Sequence, residues 1–302
     1  MNRFDWQQFN DRCQKPDAAT IGNWYARRLA RPLALRVTRV VLPWGVTAHA
    51  VTFAAWGCGL AAIGVLSQGG EAAWLGGVLL LQLSYLLDHV DGQIARYRET
   101  ASLDGIALDY LMHHTLSVCV PWGVAYARLA QGGSHAWLWC GALWSLGALI
   151  LSVEHDVRCK AMVARLKRLH GDLYVRGGAG GRPTPSAPWP TSLSKRLARC
   201  LRLAVQWHLV INTLTAIAVA QSIAPQLAWL GAAYLLAMSV TSASLAAVTL
   251  TRSIRSQLAE REFSAWYAPA ADQTLRCEQG WWHVEPIDEP QSEPRAERHT
   301  PR

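Results

Sequence analysis

The sequence predicts an all-α integral membrane protein: six transmembrane helices preceded by an amphipathic helix at the membrane interface. Three observations carry that expectation. Apolar residues make up 51% of the 302-residue chain and come in long blocks, most of them near the ~20 residues needed to cross ~30 Å of hydrocarbon. Fifteen tryptophans are present, and Trp44, Trp74, Trp137, Trp139, Trp207 and Trp229 stand near block ends, where amphipathic rings prefer the interface. Of the 29 Lys and Arg, 28 fall in segments that alternating spans place on one side.

The elements follow in order. Residues 1–19 are polar, of mixed charge and without the apolar run of a signal peptide, so a poorly ordered segment is expected. Residues 20–43 interleave Arg27, Arg28, Arg31, Arg36 and Arg39 with Leu29, Leu33, Val37, Val40 and Val41. On a helical wheel the five apolar residues share one arc, as an interfacial helix on an anionic surface requires. Spans are expected at 46–67, at 72–88 (continuing as helix to 99), and at 103–127, 136–153, 205–224 and 226–250. These make a membrane domain over 20–250, interrupted by a basic insertion at 154–204 whose Gly-, Pro- and Ser-rich part reads as a linker. The tail, 251–302, begins basic and helical and is expected to be disordered from 268, where Pro and Glu accumulate.

The charge asymmetry puts both termini, the insertion and the 91–101 turn in the cytoplasm, with the bacterial inner membrane the expected location. Cys13, Cys159 and Cys277 fall on that side. The seven cysteines contain no C-x-x-C pair, which argues against a zinc site or a disulfide framework. Basic residues are not interleaved with aromatic ones as on a nucleic-acid platform, so the basic balance points to lipid and not to nucleic acid.

Charge at the edge of the second span is costly and points to function. Asp88, Asp91, Gly92 and Ala95 stand at i, i+3, i+4 and i+7, one face of a helix. Gly105, Asp109 and His113, at i, i+4 and i+8, share another. In an antiparallel hairpin turning near Thr100 and Ala101, level positions sum to about 201, because both arms rise ~1.5 Å per residue. Asp88 then faces His113, Asp91 and Gly92 face Asp109, and Arg96 faces Gly105. Converging carboxylates suit hard divalent cations such as Mg²⁺, two of which can clamp the oxygens of a phosphoryl displacement. The small residues leave room for a ligand, and Arg96 supplies a cation for phosphate.

These residues resemble the CDP-alcohol phosphotransferase family, integral membrane enzymes of phospholipid synthesis with the signature D-x2-D-G-x2-A-R-x8-G-x3-D-x3-D. Asp88, Asp91, Gly92, Ala95, Arg96, Gly105 and Asp109 match at the required spacing, and His113 stands where the signature has its last Asp. Thr47 and Thr52 also match the T-P-N-x-x-T that many members carry before the first span, with Ala48 and His49 in place of Pro and Asn.

The resemblance implies transfer of a substituted phosphate from a CDP-linked donor, usually CDP-diacylglycerol in bacterial members, to a small alcohol acceptor, with release of CMP. It implies that Asp88, Asp91, Asp109 and His113 bind two Mg²⁺ or Mn²⁺ ions. Gly92, Ala95, Arg96 and Gly105 would cradle the CMP moiety. Catalysis would fall to Asp109, Arg96 and His113, the last as general base, since a neutral imidazole can both ligate metal and accept a proton. A homodimer stays open. Two alternatives remain: a soluble CDP-polyol donor, or a non-catalytic relative. Glu154, His155 and Asp156 are further candidates for an acceptor pocket. His49, His89 and His208 read as interfacial or packing residues, and His114 as facing a neighbouring helix.

Overall fold

Helices dominate because a long apolar block in lipid has to satisfy its backbone polar groups within itself. The structure, a computed structural model, describes residues 5–15, 22–175 and 192–287. The linker expected at 176–194 therefore lies outside them up to residue 191, as does the end of the tail from 288. The described residues belong to two compact units, one comprising Met1–Glu154 and Pro183–Thr251, the other His155–Arg182 and Arg252–Arg302.

In the first unit, α1 (Trp6–Cys13) is followed by a π-helical turn, Ala26–Ala30, that leads into α2 (Arg31–Val41). Then come α3 (Ala48–Leu66), α4 (Glu71–Tyr97), α5 (Leu103–Ala130), α6 (Ala136–Leu166), α7 (Leu193–Ala204), α8 (Trp207–Ile223) and α9 (Trp229–Arg255). Length and apolarity qualify α3, α4, α6 and the α9 segment to cross a membrane, and α7 with α8 as a fifth if that pair, bent by 77°, is one broken span. α5 is 28 residues long but does not qualify on composition, since its uncharged stretch, 110–127, carries His113, His114 and other weakly hydropathic residues. Four or five helices thus meet the criteria expected of six.

α3 packs along both α4 and α5. Small residues permit such close approach between apolar helices: a Cβ on Gly59 would lie 2.6 Å from Leu116 of α5, and one on Gly147 of α6 would lie 2.5 Å from the Ser242 backbone of α9. Leu66, Trp74, Leu81, Val124, Leu214 and Leu235 fill the core between these helices. Gln82, which interrupts the second apolar block, is satisfied there: its amide donates to Asn212 and Thr215 at 3.0 Å, and its carbonyl accepts from the Tyr25 hydroxyl at 2.7 Å.

α2 lies against α4. Thr38 donates to Gln93 at 2.8 Å, and Gln93 donates to the Arg31 carbonyl. Leu29, Leu33 and Val40 stay about half exposed. The expectation of poor order at the N-terminus is overturned for residues 5–15. Asp5 caps α1 by accepting from the Gln7 and Gln8 amides, and Phe9 and Cys13 are buried against Leu35 and Tyr97.

The second unit adds short strands to this mostly helical chain, two of them in the tail beyond residue 268, where disorder is expected from the sequence. There β1 (Leu169–His170), β2 (Tyr174–Val175), α10 (Leu258–Trp266), β3 (Tyr267–Ala268), β4 (Gln273–Glu278) and β5 (Trp281–Pro286) bring insertion and tail together. β1 pairs with β5 in parallel, and β2 with β3 antiparallel. β4 and β5 form a hairpin whose two loop residues, Gln279 and Gly280, both have positive φ, 50° and 82°, the turn that matches strand twist. The Arg165 guanidinium stacks over Trp282 at 3.9 Å and Phe263 at 4.6 Å and pairs with Glu260, with one Nη1–Oε2 distance of 2.7 Å.

Candidate active site

The hairpin turn is set by local chemistry. α4 ends at Tyr97, Glu99 takes a positive φ of 57°, and Ser102 caps α5 by accepting from the Gly105 amide at 3.1 Å. The two acidic faces consequently meet in the predicted register. His113 Nε2 lies 3.2 Å from Asp88 Oδ1 and 3.3 Å from Asp109 Oδ1. One ligand atom from each of these three residues fits within a 4.8 Å cluster.

Asp91 lines the same cavity but is not part of that cluster. It is buried, and its Oδ2 accepts a 2.6 Å hydrogen bond from Thr52 of α3. Thr47, the other threonine of that segment, caps α3 through the Ala50 amide. The cavity, about 530 Å³, is also lined by Gly92, Ala95, Arg96 and Gly105. A Cβ on Gly92 would come 3.2 Å from Arg96 Nη1, and one on Gly105 would come 3.4 Å from His49 Nε2, so the two glycines keep the cavity open at its walls.

Sequence reasoning missed several residues of this cavity. Gln14 and Lys15, just past α1, line it together with Arg31 of α2 and His49 of α3. His49, expected to be an interfacial or packing residue, is thus a wall of the cavity. Arg96 is anchored by α1: its Nε donates to the Cys13 carbonyl at 2.6 Å. His89 Nδ1 sits 3.0 Å from the Tyr85 carbonyl and 3.5 Å from Asp88 Oδ2. His114 contacts the Ser152 hydroxyl of α6, the neighbouring helix. Glu154 is not among the lining residues. His155 belongs to the second unit, where its ring lies 3.2 Å from Arg158 Nη2 and 3.7 Å from Cys159 Sγ, and Asp156 belongs there as well.

An acidic cluster lining a cavity that also holds Lys15, Arg31 and Arg96 is the context in which the motif has chemical meaning. Residues 45–194 match the family model of the CDP-alcohol phosphatidyltransferases. Those residues belong to that family. No curated protein matches the chain. The match starts just before α3 and covers both arms of the hairpin. A CDP-alcohol phosphatidyltransferase carries out a phosphotransferase reaction of phospholipid synthesis, with a CDP-linked donor and an alcohol acceptor, and the family is generally dependent on divalent metal. Asp88, Asp109 and His113 fit that requirement. Two carboxylates and an imidazole offer the hard and intermediate donors that Mg²⁺ and Mn²⁺ accept, at separations one ion can bridge.

Proposed function

We propose that this membrane protein transfers a phosphatidyl group from CDP-diacylglycerol to an alcohol, releasing CMP. The observation that carries this reading is His113, placed between Asp88 and Asp109 on the wall of a cavity that also holds Arg31 and Arg96. Asp88, Asp91 and Asp109 would hold divalent cation, leaving the single lone pair of the neutral His113 imidazole for a proton. Bound there, it would supply charge neutralisation at the phosphoryl oxygens.

The chain's own residues do the rest. Gly92, Ala95 and Gly105 admit the nucleotide close to the backbone. Arg96, fixed by Cys13, and Arg31 bring cations to the diphosphate. Thr52 holds Asp91 in place. His113 takes the proton of the acceptor hydroxyl as that oxygen attacks phosphorus. The half-exposed Ile106 at the cavity wall, with exposed Leu103 and Tyr110 beside it, gives a diacylglycerol body an apolar path into the bilayer.

The membrane arrangement supports the same reading. With α5 as a further span, both termini and the site lie on the cytoplasmic side, as the distribution of Lys and Arg favours. α2 lies in the interface with Leu29, Leu33 and Val40 toward lipid.

The test is CMP release by the purified full chain with Mg²⁺ or Mn²⁺, CDP-diacylglycerol and a pooled set of acceptors, the product being identified by mass. Asp88→Asn, Asp91→Asn and Asp109→Asn are each expected to reduce turnover by several orders of magnitude while the protein still purifies. EDTA-insensitive turnover in any one of them refutes the metal assignment. CMP release from CDP-glycerol alone selects the soluble-donor alternative, and none from either donor selects the non-catalytic one.

A further inference from the structure

His113 is a wall between two cavities. On one side lies the polar cavity just described. On the other is a second, of about 390 Å³, bounded by α5, α6, α9 and the junction of α7 and α8. Its lining is chemically unlike the first. On α5 it takes His113, Ser117, Val120 and Pro121, and on α6 Trp144, Ala148, Leu151 and Ser152. Both sets fall at i, i+4, i+7 and i+8, so each is one continuous helical stripe, and the two stripes face a common space. Among its lining residues there is no Asp, Glu, Lys or Arg. Besides His113 and the Trp144 and Trp207 indoles, its polar side chains are the neutral Ser117, Ser152, Gln206 and Ser242.

The α7–α8 junction lines it through Val205, Gln206 and Trp207.

We propose that this second cavity holds the acceptor, and that the acceptor is an uncharged alcohol with an apolar body, of the diacylglycerol type, and not a phosphorylated polyol or an amino acid. The inference rests on the phosphotransferase reading above. In a displacement at phosphorus the incoming and departing oxygens lie on opposite sides. The glycines that admit the nucleotide line only the first cavity, so the attacking hydroxyl enters from the His113 side. A P–O bond forms to the acceptor oxygen as the P–O bond to CMP breaks. The bonding pair leaves with CMP, and the hydroxyl proton passes to His113. A charged acceptor would leave its phosphate or carboxylate against a lining with no Lys or Arg, and burying a charge without a partner is unfavourable. A neutral lipid alcohol meets no such cost and gains from burial.

The experiment has two independent readouts on the full chain in lipid nanodiscs. The first is CMP release with each donor, CDP-diacylglycerol and CDP-glycerol, against dioctanoylglycerol, glycerol 3-phosphate or serine as acceptor. Dioctanoylglycerol is expected to support turnover. Ala148→Trp, which fills the cavity, should lower kcat/KM for it by at least about tenfold with the donor KM unchanged, and Ser242→Leu should act in the same direction. The second readout is photolabelling by a diazirine-bearing diacylglycerol, mapped by peptide. Label is expected on the α5 and α6 stripes in the wild type and should be lost in Ala148→Trp.

Turnover with glycerol 3-phosphate or serine but not with the neutral alcohol overturns the inference and leaves the phosphotransferase reading standing. Labelling of the stripes without CMP release from any donor–acceptor pair keeps the alcohol site and overturns the phosphotransferase reading. Absence of both label and turnover overturns both.

Discussion

The Thr52 hydroxyl donates to Asp91 Oδ2 across 2.6 Å, tying α3 to the acidic face of α4. Both residues are buried, so the carboxylate is aimed by a partner on a third helix. Thr52→Val removes the donor at near-constant volume. Hydrogen bonds to charged groups contribute about 1.5–3 kcal/mol, so kcat is expected to fall by roughly one to two orders of magnitude, with Thr52→Ser recovering most of it. Unchanged turnover in Thr52→Val would show that the orientation of Asp91 is irrelevant to the reaction.

His113 is expected to matter for chemistry more than for donor binding, because the glycines of the nucleotide wall are untouched by its removal. His113→Ala should lower kcat by about 10²–10⁴-fold, the usual range for a general base, while donor KM changes little. His113→Asp, which restores the signature carboxylate, should keep substantial activity. A wild-type rate in His113→Ala would send the search for the base to His49 and His89, which line the same cavity.

The thiols report topology with one correction drawn from burial. Sequence position alone suggests that Cys13, Cys159 and Cys277 all label once cells are permeabilised. Cys13 is fully buried, and burial pushes its thiol up to about 11 against the opposing pull of Arg96 and Arg12. The thiolate is the reactive form, so Cys13 should stay silent. Exposed Cys277 and Cys200 should react with an impermeant maleimide only after permeabilisation. Labelling of Cys200 in intact cells would invert the proposed orientation.

The second unit carries a pH-dependent contact. The hydrogen bond from Arg165 holds the Glu260 carboxyl below its ordinary range, against a smaller opposing effect of burial. Its folded pKa lies below its unfolded one, so the contact adds stability above the unfolded value of about 4.3. That stability is lost as pH falls through the folded value. Glu260 is half exposed, and solvent screening keeps the effect small. Protection factors of the α10 amides, with intrinsic exchange divided out, should fall below pH 4 in the wild type, and Glu260→Gln should flatten that dependence. An identical profile in the two proteins would refute the contact's role.

The helical spacing of the hairpin was enough to place Asp88 against His113, because rise per residue fixes register once a turn is located. The direction of Asp91 was not legible in the same way: spacing names the helix face, but the partner, Thr52, sits on another helix. Polar composition hid α1, whose few buried groups, Phe9 and Cys13, are too sparse to make a periodic signal. In the tail, Pro and Glu counts masked a two-residue turn at Gln279 and Gly280 between alternating strands. The cavity beyond His113 shows in the sequence only as matched i, i+4, i+7, i+8 stripes on α5 and α6. Such stripes are indistinguishable from ordinary core until the helices are placed.

Arg96 is held by a main-chain oxygen, that of Cys13. Such an anchor is indifferent to the side chain at its own position. A small apolar substitute for the buried Cys13 would leave the guanidinium held, and no compensating change at position 96 would record the partnership. The length of α1 is what this contact constrains. A one-residue insertion or deletion between Asp5, which starts the helix, and Cys13 would rotate the terminal carbonyl by about 100° and free Arg96, where most substitutions along the same stretch would not.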